Sequence, residues 1–193
     1  MDSAIERELR VRLPEWIPGW LEARDAPLAT RDDRMHLVIE LARANVEHGT
    51  GGPFAAAVYA LDSGTLLSVG VNVVVAQHCS VAHAEILALG LAQARVGSHS
   101  LASPQGGRCE LISSAEPCAM CLGAVAWSGI AALVIGARDA DVREIGFDEG
   151  HKPRDWRHAL AARGIAVTCD VLREDACAVL TSYAASGGPI YNG

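Results

Sequence analysis

Two short motifs hold the residues of this sequence best suited to chemistry: His83-Ala84-Glu85, and further along Pro117-Cys118-Ala119-Met120-Cys121. Imidazole and thiolate are ligands that zinc prefers, and a catalytic zinc keeps three protein ligands with a fourth position open. His83, Cys118 and Cys121 make up such a set. Glu85 is then the side chain placed to take a proton from a water that the metal has made acidic, and to carry it onward. Each motif alone has a plainer reading, Cys-x-x-Cys as a redox pair and His-x-Glu as the polar first turn of a helix. Together, each opening a helix that follows a strand, they point to catalytic zinc, and the thiolates set the site apart from one for a hard cation.

Hydrophobic periodicity predicts the elements that must position these residues. Met35, Val38, Ile39, Leu41, Ala42 and Val46 recur at helical spacing over 32–48, and Gly49 follows as a stop. Residues 54–61 and 66–76 read as strands joined by the turn Asp62-Ser63-Gly64-Thr65, which makes an antiparallel pair. Helices are predicted over 82–96 and 117–128, the second with Pro117 in its first turn, and strands over 109–113 and 132–137. Two helix N-termini then face the metal and favour thiolate. Residues 138–153 read as irregular, followed by a helix at 154–163, a strand at 165–171, a helix at 173–185 and the tail GGPIYNG. The expected fold class is α/β, a three-layer α/β/α sandwich around a mixed sheet of about five strands. Residues 1–30, with Pro14, Pro18, Pro27, Trp16 and Trp20, read as an N-terminal extension packed on the domain or on another subunit; residues 31–193 read as one domain.

With 193 residues, 50 % of them hydrophobic, the chain is long enough for a single domain with a sizeable core. A net charge of −7, with no basic block, gives no general attraction for polyanions and favours a small substrate over nucleic acid. The sequence opens without a charged-then-apolar leader, and no apolar run reaches membrane-spanning length, so a soluble cytoplasmic protein is expected. A disulfide framework is not expected there, and Cys79, Cys109, Cys169 and Cys177 read as inert core thiols.

The combination of His-x-Glu with Pro-Cys-x-x-Cys resembles the zinc-dependent nucleobase deaminases. From about residue 32 to the C-terminus the chain is similar to the cytidine deaminase-like superfamily. Within that superfamily GGPFAAAV, Asn72, AHAEILAL, SSAEPCAMCLGAVAWSG and GFDEG resemble bacterial guanine deaminases. The resemblance implies a Zn2+ cofactor on His83, Cys118 and Cys121, and hydrolysis of a free nucleobase, guanine and water giving xanthine and ammonia. It further implies a homodimer and a C-terminal segment that helps close the pocket. Residue by residue it makes Glu85 and Glu149 catalytic, and Asn72, Phe54, Phe147, Ala84 and Ser114 substrate-binding, with the two phenylalanines sandwiching the base. Some of these readings have independent support. Asn72 is a polar amide in an apolar run, costly to bury without partners, although a turn amide is the alternative. A second pocket carboxylate at Glu149 suits the N–H donors of guanine and repels the N1 lone pair of adenine; the alternatives are a solvated loop acid, or Asp148 in its place. Trp127 reads as wall or dimer packing. Guanosine, cytosine, cytidine and an aminotriazine such as ammeline stay open as substrates, as does, further off, adenosine in tRNA.

Overall fold

The computed structural model describes residues 8–24 and 29–192. A short helix α1 (Ile17–Glu22) precedes α2 (Arg31–Glu47), which Thr30 opens: its hydroxyl accepts from the Asp33 N–H while the Asp33 carboxylate accepts from the Thr30 N–H. Strands β1 (Ala55–Ala60) and β2 (Leu66–Val71) form the expected antiparallel hairpin. Helix α3 (Ala84–Val96), strand β3 (Cys109–Ala115), helix α4 (Ala119–Ser128) and strand β4 (Ala132–Ala137) follow, then α5 (Asp139–Glu144), α6 (Trp156–Ala161), β5 (Ala166–Thr168) and α7 (Arg173–Ala185). The sheet order is β2-β1-β3-β4-β5, with β1 antiparallel to both neighbours and β3, β4 and β5 parallel.

Strand alternation divides the core into two layers. Ala55, Ala57 and Tyr59 of β1 pack with Met35, Ile39 and Val179 from α2 and α7. Ala56 and Val58 pack with Ala88, Leu122 and Val125 from α3 and α4. This is the mixed five-stranded α/β sandwich that the sequence predicts, and it puts the openings of α3 and α4 on the same side of the sheet.

Four local readings change. The second strand stops at Val71 instead of 76, because the Asn72 side-chain oxygen accepts from the Val74 N–H, a local turn bond that competes with the ladder. The segment 138–153 contains α5, which buries only Val142 and so leaves no apolar rhythm to read. Pro117 precedes α4 by two residues, and Cys118 is the N-cap. Of the four cysteines read as core thiols, Cys109 is buried, while Cys79, Cys169 and Cys177 are half-buried. In the N-terminal stretch Ile17 is 2 % exposed and belongs to the α2–α7 layer of the core.

Candidate active site

His83, in extended conformation at the N-cap of α3, and Cys118, likewise at the N-cap of α4, meet where the two helices begin. The Cys118 sulfur lies 3.6 Å from His83 Nδ1. Cys121 stands at the third helical position of α4, and one ligand atom from each of these three residues lies within 4.8 Å of the others. They form the only such cluster among the described residues. Hydrogen bonding from Cys121 and then from His83 holds the Cys118 thiol down to about 4 against the cost of burial. Cys121, hydrogen-bonded with Cys118 and buried beside Glu85, is pushed up instead. One thiolate, a second thiol next to it and an imidazole within reach are a donor set that fits zinc and leaves room for a fourth ligand.

Glu85, in the first turn of α3, is 7 % exposed; one carboxylate oxygen faces the Ser113 hydroxyl at 3.4 Å and the other the Cys121 sulfur at 3.5 Å. Burial, and next to it the Cys118 charge, raise its pKa. Glu149 is 6 % exposed and lines the same cavity. Burial first and the Cys118 thiolate second push its carboxyl up to about 8, with Lys152 pulling the other way. The Glu149 carbonyl accepts from the Ala119 N–H at 3.0 Å, so the loop carrying this acid also caps α4. Asp148 is excluded from the same role by geometry: its side chain is 61 % exposed and engages Arg143 and the Gly150 N–H.

The cavity is lined by His83, Glu85, Cys118, Glu149, Asn72 and Phe54, together with Ala115, Glu116, Tyr191 and Asn192. Its free space is only about 20 Å³. Asn72 is 1 % exposed, at the end of β2, and its N–H donates to the Phe54 carbonyl at 3.0 Å. Two other expected substrate contacts sit elsewhere. Phe147, 2 % exposed, meets Phe54 edge-on at 5.1 Å and 75°, so the two rings touch and leave no slot for a base between them. Phe54 alone lines the cavity, and Phe147 backs it, packed also on Tyr183 and Tyr191. Ser114 points to the α2–α7 face, where its hydroxyl accepts from the Ala55 N–H at 3.1 Å; strand alternation gives the Glu85 side to Ser113. Ala84 is the first residue of α3, where a backbone N–H has no partner within the helix.

Ser113, Glu116, Lys152, Tyr191 and Asn192 belong to the site although nothing in the sequence reading singled them out. Glu116 and Lys152 form an ion pair at 2.9 Å, and Lys152 also pairs with Asp139 at 2.6 Å and donates to the Pro117 carbonyl at 3.1 Å. Asn192 donates to the Asp148 carbonyl at 2.7 Å, which lays the tail over its own chain's cavity. For these last two the resemblance implied a C-terminal segment that helps close the pocket, without saying which residues of the tail do so.

With this geometry, residues 29–137 match the family model of the cytidine and deoxycytidylate deaminase zinc-binding region. The chain belongs to that family and is a zinc-dependent hydrolytic deaminase. Among curated proteins it is similar to guanine deaminase of Bacillus subtilis, 36 % identical over 111 residues that make up 58 % of this chain and 67 % of that protein. Among solved structures it is similar to guanine deaminase from Nitrosomonas europaea, with 50 % identity, TM-score 0.85, and coverage of 95 % of this chain and 100 % of that one. Two solved variants of a similar protein, each in complex with 8-azaguanine, also match. One has an asparagine changed to alanine (51 % identity, 93 % and 98 % coverage, TM-score 0.85), and the other a glutamate changed to aspartate (50 %, 95 % and 100 %, 0.86).

Proposed function

We propose that this protein converts guanine and water to xanthine and ammonia. The observation that carries the reading is the placing of two buried carboxylates, Glu85 and Glu149, in one cavity with the His83, Cys118 and Cys121 triad and with Asn72. Zinc, when bound there, supplies the Lewis acid that makes a water acidic near neutral pH. Glu85, beside the triad, takes the proton from the attacking water and delivers it to the ring nitrogen. Glu149 accepts the N–H donors of the guanine edge and relays the second proton of that water to the departing amino group. Phe54 offers its ring to the base, Asn72 its amide, and the first N–H of α3 at Ala84 an anchor for a base oxygen. In the two solved variants with 8-azaguanine, the altered asparagine and glutamate are separated by the same number of residues as Asn72 and Glu149, which supports giving these two the base.

The Tyr191 hydroxyl and the Asn192 side-chain oxygen are buried with no hydrogen-bond partner among the described residues. Such groups cost roughly 1–3 kcal/mol each, and a polar base beneath the tail offers them partners. Free space of about 20 Å³ holds about one water. The homodimer is part of the same proposal: Trp127 is 78 % exposed on α4, with Met120 on that helix and Leu91 on α3 also open to solvent. Six unpaired cysteines suit a cytoplasmic setting. Ammonia release from guanine, guanosine, adenine, cytosine, cytidine and ammeline tests the substrate. Guanine is expected to be turned over fastest, and a faster rate on any other compound rejects it.

A further inference from the structure

Trp16 takes no part in the chemistry above, yet its contacts lead straight to the wall of the base pocket. Its ring stacks on His48 at 4.4 Å, and its indole N–H donates to the Thr50 hydroxyl at 3.1 Å. That hydroxyl donates to the Asn45 side-chain oxygen at 2.7 Å. The Asn45 amide nitrogen donates to the Gly52 carbonyl at 2.9 Å and to the Asn72 carbonyl at 2.8 Å. Asn45 is 0 % exposed, and these bonds use both hydrogens of its amide as well as its oxygen, so only one orientation of the amide satisfies them all.

The two carbonyls it holds frame the pocket. Gly52 lies two residues before Phe54, and Asn72 is the base-facing amide, itself bonded to the Phe54 carbonyl at 3.0 Å. Between them the 49–52 loop is pressed on the end of β2: a Cβ on Gly51 would stand 1.8 Å from the Asn72 oxygen, an approach that only glycine allows. On its other side the same loop borders an open cavity of about 390 Å³. There the Tyr191 ring lies against Gly52, and the hydrogen bonds from Asn45 hold the loop from the opposite side.

We propose that Asn45 is a positioning residue for the substrate pocket, keeping Phe54 and Asn72 in register, and that Trp16 and Thr50 keep its amide oriented. On this account the N-terminal segment is a working part of the active site. The claim rests on the reading of Phe54 and Asn72 as the residues that hold the base.

Thr50→Val tests it, because the change keeps the shape and removes the hydroxyl that links Trp16 to Asn45. A displacement of about 1 Å in a binding group costs up to about a hundredfold, so kcat/KM for guanine is expected to fall at least about tenfold, mainly through KM. Zinc content should hold, Thr50→Ser should restore KM, and Trp16→Phe, which keeps the stacking on His48, should give an intermediate KM. A Thr50→Val protein that melts earlier but keeps KM within about 1.5-fold of wild type shows a structural role only and overturns the proposal. If wild type prefers another base, the guanine reading fails separately, and the same KM ratio measured on that base still decides the positioning claim.

Discussion

At the residue scale the proposed reaction depends on where two carboxylates are seated. Glu85 is gripped by Ser113 and Cys121 beside the metal ligands, whereas Glu149 is reached only through a loop that caps α4. Glu85→Gln keeps the shape and loses the proton carrier. General acid/base catalysis contributes roughly 10²–10⁴-fold, so turnover should fall by at least that range with zinc, measured by elemental analysis, unchanged. Activity within about tenfold of wild type would remove Glu85 from this role. His83, Glu85, Cys118 and Cys121 were legible because the chemistry needs those residue types at that spacing. Asn72 was legible because a lone amide among valines demands a reason. Ser113 was not. It and Ser114 are neighbours of one type, and only the pairing of β3 with β1 decides which of them faces Glu85.

At the element scale, the start of α4 is held by the loop that delivers Glu149. Ala119 donates to the Glu149 carbonyl, and Lys152, 8 % exposed at its side chain, ties Glu116 and Pro117 on one side to Asp139 of α5 on the other. Lys152→Met removes the buried cation that Glu116 and Asp139 share and leaves them only their more exposed partners, Arg157 at 3.6 Å and Arg143 at 2.7 Å. Breaking a buried ion pair costs about 3 kcal/mol, and the loss should show as a lower urea midpoint together with a lower kcat, since Glu149 shifts with its loop. An unchanged kcat in a destabilised protein would make the lysine purely structural. Cys118→Ala removes one of three protein ligands, and is expected to abolish zinc binding and lower Tm; full zinc content in that variant would contradict the ligand set. Most helices and strands were readable because each buries an apolar face. The exceptions share a cause: α5 is charged with only Val142 buried, and β2 is cut short by a side-chain bond that hydrophobicity does not report.

At the scale of the whole molecule, a mixed sheet with α3 and α4 on one face places both helix openings at the carboxyl end of β3, where β1 turns antiparallel to it, and there the cavity forms. Other contacts only hold the layers together. Asp141 of α5 accepts two hydrogen bonds from Arg173 of α7, at 2.8 and 2.5 Å. Arg173 first, and the Arg138 N–H with it, hold the Asp141 carboxyl well below the usual range despite its burial. A carboxyl lowered on folding stabilises above its unfolded pKa of about 3.9, and that contribution is lost as pH falls through the folded value. Asp141→Asn should therefore cost about 1 kcal/mol at neutral pH, the half-exposed arginine limiting the gain. The gap to wild type should hold above about pH 4 and narrow steadily as pH falls toward the folded value, as chemical denaturation across an acid series would show; a gap that does not narrow in acid would deny the ion pair its role. The central claim, that this deaminase selects guanine through its second carboxylate, is tested most directly by guanine turnover of Glu149→Gln in the zinc-loaded protein. A hydrogen bond to a charged group contributes about 1.5–3 kcal/mol, and lost proton transfer adds to it, so the rate is predicted to fall at least about a hundredfold with zinc content and Tm nearly unchanged. Guanine turnover near the wild-type rate in that variant would contradict the account.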